Sequence, residues 1–234
     1  MDKQLTIRWI GQGGYLLCNG KTSLCIDPYL SDAVNRVAGR PRMVAPPFPP
    51  SELKCDAVIC THDHLDHVDI DAIPQFCQNG MRFYAPTHAE NTLRTCGVSD
   101  YAPFDEGRVY RIGGFEIEAV YAHHSVPAIG VLVRHGTYTL YFSGDTEYHE
   151  KLEALARHRI DVMVICINGK LGNMNVQEAI RLTTLLHPAL AIPTHYGMFA
   201  GNTADPRAFT ERFASACALD YNEEYSVKEL LKYV

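Results

Sequence analysis

Thr61-His62-Asp63-His64-Leu65-Asp66-His67 sets three histidines and two aspartates within seven residues. His62 and His64 stand two apart, so on an extended or tightly turned segment both imidazoles face the same side. Asp66 and His67 follow at once, on a stretch that must curl to bring them beside the first pair. Imidazole and carboxylate are ligands suited to borderline and harder divalent metals such as zinc, manganese and iron. A polar loop or helix cap rich in histidine is the plain alternative. Four candidate ligands directly after the apolar run Ala57-Val58-Ile59-Cys60 favour a metal site.

The segment resembles the His-x-His-x-Asp-His signature of the metallo-β-lactamase superfamily, and later residues follow the same pattern. Such proteins add a histidine, a bridging aspartate and a last histidine from later strand ends. Candidates occur in that order: His124 in Ala122-His123-His124-Ser125, Asp145 in Ser143-Gly144-Asp145-Thr146, and His195 in Pro193-Thr194-His195-Tyr196-Gly197. Each lies at or just beyond a strand-like run: Phe115 to Tyr121, Tyr138 to Phe142, and Ala189 to Ile192. Within the superfamily the chain is most similar to the ascorbate-6-phosphate lactonases and related metal-dependent hydrolases. That likeness rests on Thr-His-Asp-His-x-Asp-His, on Asp27-Pro28-Tyr29-Leu30-Ser31, on Ser-Gly-Asp-Thr and on Pro-Thr-His-Tyr-Gly. Lactonases of that branch are longer, which leaves the lactone itself open.

The resemblance implies an α+β fold, an αββα sandwich of two mixed sheets flanked by helices. It also implies two divalent ions, zinc or manganese. One would be held by His62, His64 and His124, the other by Asp66, His67 and His195, with Asp145 bridging. His123 and His124 are adjacent, so on a strand only one can face the site; the Ala-x-His-Ser pattern of related hydrolases selects His124. Paired ions activate a shared water and clamp the attacked and leaving oxygens, with Asp66 orienting the resulting hydroxide. No protein nucleophile is needed, and the chain has no Gly-x-Ser-x-Gly.

Length and composition fit this reading. The 234 residues are taken as one domain, 1–234, long enough to bury a substantial core. A net charge of −6 disfavours broad nucleic-acid binding, which a basic face normally drives. No apolar run approaches membrane-spanning length, and the N-terminus lacks a secretory pattern. The eight cysteines are scattered with no Cys-x-x-Cys spacing. Reduced thiols and a cytoplasmic location are therefore expected.

Along the chain, Leu5 to Trp9 alternates as a strand, the Gly11-Gln12-Gly13-Gly14 break follows, and Tyr15 to Cys18 and Thr22 to Ile26 flank a hairpin turn at Asn19-Gly20. Tyr29 to Pro50 reads as one long irregular loop, with five prolines near its end, placed as a rim over the metals. Helices are expected over Asp69 to Cys77, Thr87 to Cys96 (closed by Gly97), Tyr148 to His158, Asn175 to Leu186 and Pro206 to Cys217. Further strands are expected over Arg82 to Ala85, Val109 to Ile112, Phe115 to Tyr121, Ile129 to Arg134, Tyr138 to Phe142, Val162 to Ile167 and Ala189 to Ile192.

Some residues keep two readings. Asp27 either hydrogen-bonds a metal-bound imidazole from outside or starts the turn ahead of Pro28. Arg36, Arg40 and Arg42 either hold an anionic substrate at the rim or are merely solvated. Tyr196 either touches substrate or packs in the core. His88, His135, His149, His158 and His187 read as ordinary surface or half-buried residues. The function expected is hydrolysis of a small anionic ester or lactone, with a phosphorylated sugar-acid lactone as one candidate. A phosphodiesterase or nuclease is the alternative, and a redox protein would need a flavin-binding or second domain that the sequence lacks. The oligomeric state stays open.

Overall fold

The computed structural model describes residues 5–232. Strands β1 (Thr6–Gly11), β2 (Gly14–Cys18) and β3 (Ser23–Ile26) form a meander, followed by β4 (Ala57–Ile59), β5 (Arg82–Ala85) and β6 (Tyr101–Pro103). Next come β7 (Val109–Ile112), β8 (Phe115–Tyr121), β9 (Ile129–His135), β10 (Tyr138–Phe142), β11 (Val162–Cys166), β12 (Leu190–Thr194) and β13 (Glu224–Ser226). The first sheet has the order β13-β1-β2-β3-β4-β5-β6, and the second β12-β11-β10-β9-β8-β7. Both are mixed. β3 to β6 and β10 to β12 pair in parallel, and the other pairings are antiparallel.

The two-residue side-chain period explains why the sheets stack between helices. Ala57 and Ile59 of β4 join Val162 and Val164 of β11 in one apolar cluster between the sheets. Val58 points the other way, to Ile73 and Phe76 of α2 (Ile73–Phe76) and Leu93 of α3 (Glu90–Thr95). Met163 and Ile165 pack on the opposite side against Ala179, Leu182 and Leu186 of α4 (Val176–Leu186). The result is the four-layered αββα sandwich. Each fully buried aliphatic side chain in these layers contributes roughly 1.5–3 kcal/mol.

The Asn19-Gly20 turn forms as expected, with Asn19 Oδ1 accepting from the amides of Lys21 and Thr22. Other segments differ. The loop after Tyr29 contains a short helix, α1 (Ala33–Ala38), closed by Gly39 at φ 64°. The Tyr148 to His158 segment winds more tightly than an α-helix, as a 3₁₀ helix over Glu150–Arg157. The expected helix from Pro206 to Cys217 is a single turn, Arg207–Thr210. Beyond it Ala216 pairs with Ala191 at the sheet edge, with Ala191 N donating to Ser215 O and Cys217 N to Ala191 O. Edge pairing there outweighs local helix propensity.

Candidate metal centre

Strand ends of both sheets converge on one place. Asp27 follows β3, the histidine-rich segment follows β4, His124 follows β8, Asp145 follows β10 and His195 follows β12. Open α/β sheets characteristically bind ligands beyond the carboxyl ends of parallel strands. The backbone also ties the sheets together here, since Ile129 N of β9 donates to Thr61 O at 3.0 Å.

All seven sequence-selected residues come together. Their ligand atoms form three sets, each within 4.8 Å: His62, His64 and His124; Asp66, His67 and His195; and His62, His67 and Asp145. His62 Nε2 lies 3.0 Å from His64 Nδ1, which lies 3.1 Å from His124 Nε2. His195 Nε2 lies 3.0 Å from Asp145 Oδ1 and 3.5 Å from Asp66 Oδ2. His67 Nε2 lies 3.3 Å from Asp145 Oδ1. Asp145 thus stands between the other two sets. His67 Nε2 and Asp145 Oδ1 are buried and face one another at 3.3 Å, yet neither makes a well-aligned hydrogen bond. Buried polar atoms normally make good hydrogen bonds, so two that are misaligned with each other and crowded among further imidazoles and carboxylates form a donor set that fits divalent metal.

His124, not His123, faces the cluster. His123 is 47% exposed, with Nε2 3.8 Å from Glu147 Oε2 and its ring beside His149. Asp27 does more than start a turn. It holds φ 43°, its Oδ1 accepts from Thr61 N at 2.7 Å, and its Oδ2 lies 2.8 Å from His67 Nδ1. That contact leaves His67 Nε2 facing inward, the usual support for a ligating imidazole. Tyr196 packs 4.9 Å from the Trp9 ring. His88 Nε2 lies 3.3 Å from Asp63 Oδ2, on the outside of the segment.

Three supporting residues escaped the sequence reading. Gln12, fully buried in the Gly-rich turn at φ 51°, donates from Nε2 to Asp66 Oδ2 at 2.8 Å and sits 3.0 Å from His195 Nε2. Its carbonyl accepts from Trp9 Nε1, Thr194 Oγ1 and His195 N. Asn173 Nδ2 donates to Asp145 Oδ2 at 2.9 Å. Gly172 O lies 2.8 Å from His124 Nδ1, leaving Nε2 for the cluster. A turn-forming Gly-Gln-Gly-Gly was the only sign of the first; nothing in the sequence marked the others.

The electrostatics divide the cluster. Burial, reinforced by neighbouring imidazoles, holds His62 and His64 below the ordinary histidine range. Burial also opposes charge on His67, yet Asp27, Asp145 and Asp66 outweigh it and raise its pKa. His195 is likewise raised to about 9, where Asp145 and Asp66 overcome burial. Asp66 and Asp145 are lowered despite burial, because His67 and His195 face them. Both carboxylates are therefore available as anionic donors.

The cluster opens onto a cleft of about 490 Å³ lined by Val34, Ala38, Arg40, His64, Leu65, Asp66, Ser125 and Leu171. Of the three loop arginines only Arg40 reaches it. Arg36 pairs with Asp71 at 2.7 Å. Arg42 donates to the carbonyls of Ser31 and Val44 and lies over the Tyr29 ring.

The chain is similar to known proteins in sequence and in fold. A metal-dependent hydrolase of Methanosarcina mazei is 26% identical over 219 residues, covering 88% of this chain and 89% of its own. One from Thermoplasma acidophilum is 29% identical over 224 residues, covering 88% and 90%. Among solved structures, an isothiocyanate hydrolase from Delia radicum gut bacteria superposes with TM-score 0.79 at 21% identity, covering 94% of this chain and 98% of that one. A metallo hydrolase of Ignicoccus hospitalis gives TM-score 0.76 at 20% identity, covering 95% and 97%. Residues 22–196, which carry every candidate ligand, match the beta-lactamase superfamily domain, and the chain belongs to that superfamily.

Proposed function

We propose that the protein is a metal-dependent hydrolase holding two divalent ions, zinc or manganese, and acting on a small ester or lactone. The observation that carries this is the pair of ligand sets joined at Asp145, with buried inward-facing atoms on His67 and Asp145 that make no aligned hydrogen bond. His62, His64 and His124 would hold one ion, Asp66, His67 and His195 the other, and Asp145 both. When bound, such a pair supplies a nucleophilic water at neutral pH and polarises the scissile carbonyl. The donor set suits zinc and manganese alike. Asp66 lines the cleft while Gln12 Nε2 holds its Oδ2. Its carboxylate would orient the attacking hydroxide. The cleft volume lies within the range of small-molecule sites. The described residues include no helix long and apolar enough to cross a membrane. Five of the eight unpaired cysteines are buried, which fits the reducing cytoplasm we assign it.

The test is elemental analysis of protein purified without chelator, with a screen of lactones, carboxylic esters, thioesters and bis(4-nitrophenyl) phosphate. About two ions per chain are expected, with turnover of an ester or lactone that Asp145→Asn and His64→Ala abolish. Asp66→Asn should slow turnover with metal retained. Turnover of the phosphodiester alone would move the protein to the phosphodiesterase class. Metal-free protein, or a covalent adduct trapped on a serine or cysteine, would overturn the reading.

A further inference from the structure

A second cavity, of about 400 Å³, adjoins the metal cleft. Gly39, Arg40 and Pro41 form one wall, Lys170 and Leu171 the other, and Phe199 to Asn202 the floor. Arg40 and Leu171 line both spaces, so the two share a boundary. The charged side chains lining the side pocket are both cations, Arg40 and Lys170, in a protein of net charge −6. Arg40 has no hydrogen-bonding or ionic partner among the described residues, in contrast to Arg36 and Arg42. Among the described residues Lys170 Nζ donates only to the Gly201 carbonyl, at 2.9 Å.

The wall that carries Lys170 and Leu171 is held rigidly. Gly169 N donates to Met174 O, Asn168 Nδ2 donates to the Lys170 carbonyl, and Gly172 O lies against His124 Nδ1. Between these anchors Leu171 sits at φ 56° and is 55% exposed. A leucine held in the left-handed region costs free energy and normally gives way to glycine or asparagine. A large apolar side chain kept there, facing water at the junction of two cavities, is the kind of local strain found at ligand-contacting positions. The same loop carries Asn173, which donates to Asp145, so substrate held on this wall is positioned relative to the candidate metals.

We propose that this pocket is the specificity subsite of the enzyme, and that the substrate is an ester or lactone whose acyl chain ends in an anionic group. The chain crosses the boundary against Leu171, and its terminal carboxylate or phosphate lies between Arg40 and Lys170. This rests on the hydrolase reading given above and adds to it where the substrate's charge is held.

The probes are two esters of equal chain length, 4-nitrophenyl hexanoate and the mono-4-nitrophenyl ester of adipate. The metal-loaded enzyme should favour the adipate ester in kcat/KM by at least about tenfold, the scale of a charge-assisted contact. Arg40→Ala and Lys170→Ala should each reduce that ratio, Arg40→Glu with Lys170→Glu should invert it, and the loss should fall on KM. Leu171→Gly relieves the backbone strain, so its Tm should hold or rise while kcat/KM for the adipate ester falls. 4-Nitrophenyl 4-(phosphonooxy)butanoate, whose phosphorus takes the chain position of the adipate carboxylate carbon, tests phosphate against carboxylate in the same position. Equal turnover of the two first esters, or a preference that survives the double substitution, would overturn the subsite and leave the hydrolase standing. If neither ester is cleaved, calorimetry with adipate and hexanoate decides separately. Binding of adipate over hexanoate that needs Arg40 and Lys170 keeps the subsite while the hydrolase reading falls, and equal binding of the two overturns it.

Discussion

The Gln12 side chain is buried against two candidate ligands, and its amide has only one sensible orientation, because Asp66 Oδ2 needs a donor at 2.8 Å. Removing that donor leaves the carboxylate free to rotate. Partners of this outer kind typically alter metal affinity or activity by about 10–100-fold. Gln12→Ala should show a loss of that size in metal titration and in kcat, with the far-ultraviolet spectrum unchanged. Gln12→Glu should do more harm, since it sets a second carboxylate beside Asp66. Wild-type metal affinity and turnover in Gln12→Ala would reduce the residue to turn packing. The contrast with the histidines explains what was legible in the sequence. A dense run such as His62 to His67 declares its chemistry through residue type and spacing, and His124, Asp145 and His195 follow it in family order. Gln12 and Asn173 are ordinary amides whose roles exist only once distant strand ends meet. Asp27 was readable as a support but not decidable, because the turn and the contact to His67 use the same residue.

Regular elements were legible where one periodicity had no competitor. The hairpins β7-β8 and β9-β10 and the capped helix α4 fall where alternation and turn residues put them. The stretch from Pro206 to Cys217 is compatible with a helix, but pairing of Ala216 with Ala191 decides it, and no local pattern announces an edge contact. The loop between β11 and α4 was equally silent, although it supports both His124 and Asp145. Its tolerance can be measured. A Cβ on Gly172 would stand 2.7 Å from His124 Nδ1, at a φ of 87°. Gly172→Ala should therefore displace His124, costing about 1–3 kcal/mol and weakening metal binding at the His62, His64 and His124 set. Gly136, at φ 58° in the β9-β10 turn, has open space around the same position. Gly136→Ala should cost only the backbone strain, about 1 kcal/mol, with metal affinity untouched. Equal effects of the two substitutions on metal affinity would show that the loop does not position His124.

The candidate ligands divide between the two sheets: the His62 to His67 segment hangs from β4, whereas His124, Asp145 and His195 follow β8, β10 and β12. Bound ions would therefore staple one sheet to the other as well as serve chemistry. In protein stripped by chelation, protons take over part of that duty. His195, raised to about 9 by Asp145 and Asp66 against burial, contributes stability that is complete below its unfolded value of about 6.5 and is lost as pH rises through about 9. Asp66 and Asp145, lowered by His67 and His195, contribute stability present above the ordinary carboxylate range and lost as pH falls through and below it. Stripped protein should accordingly be most stable at about pH 6.5. Toward acid, His62 and His64, held below the ordinary range by burial, disfavour the folded state as they must take up protons. Toward alkali, Tm declines to about pH 9 as His195 loses its proton. Metal displaces the proton from His195, because a ligating imidazole must be neutral. Loaded protein should then hold its Tm across the alkaline window. With free metal about a thousandfold above Kd, it should stand roughly 10 °C above the stripped form at pH 8. Scanning calorimetry of both forms from pH 4 to pH 9 measures the two effects together. Curves that coincide throughout would mean that metal does not join the sheets at these residues.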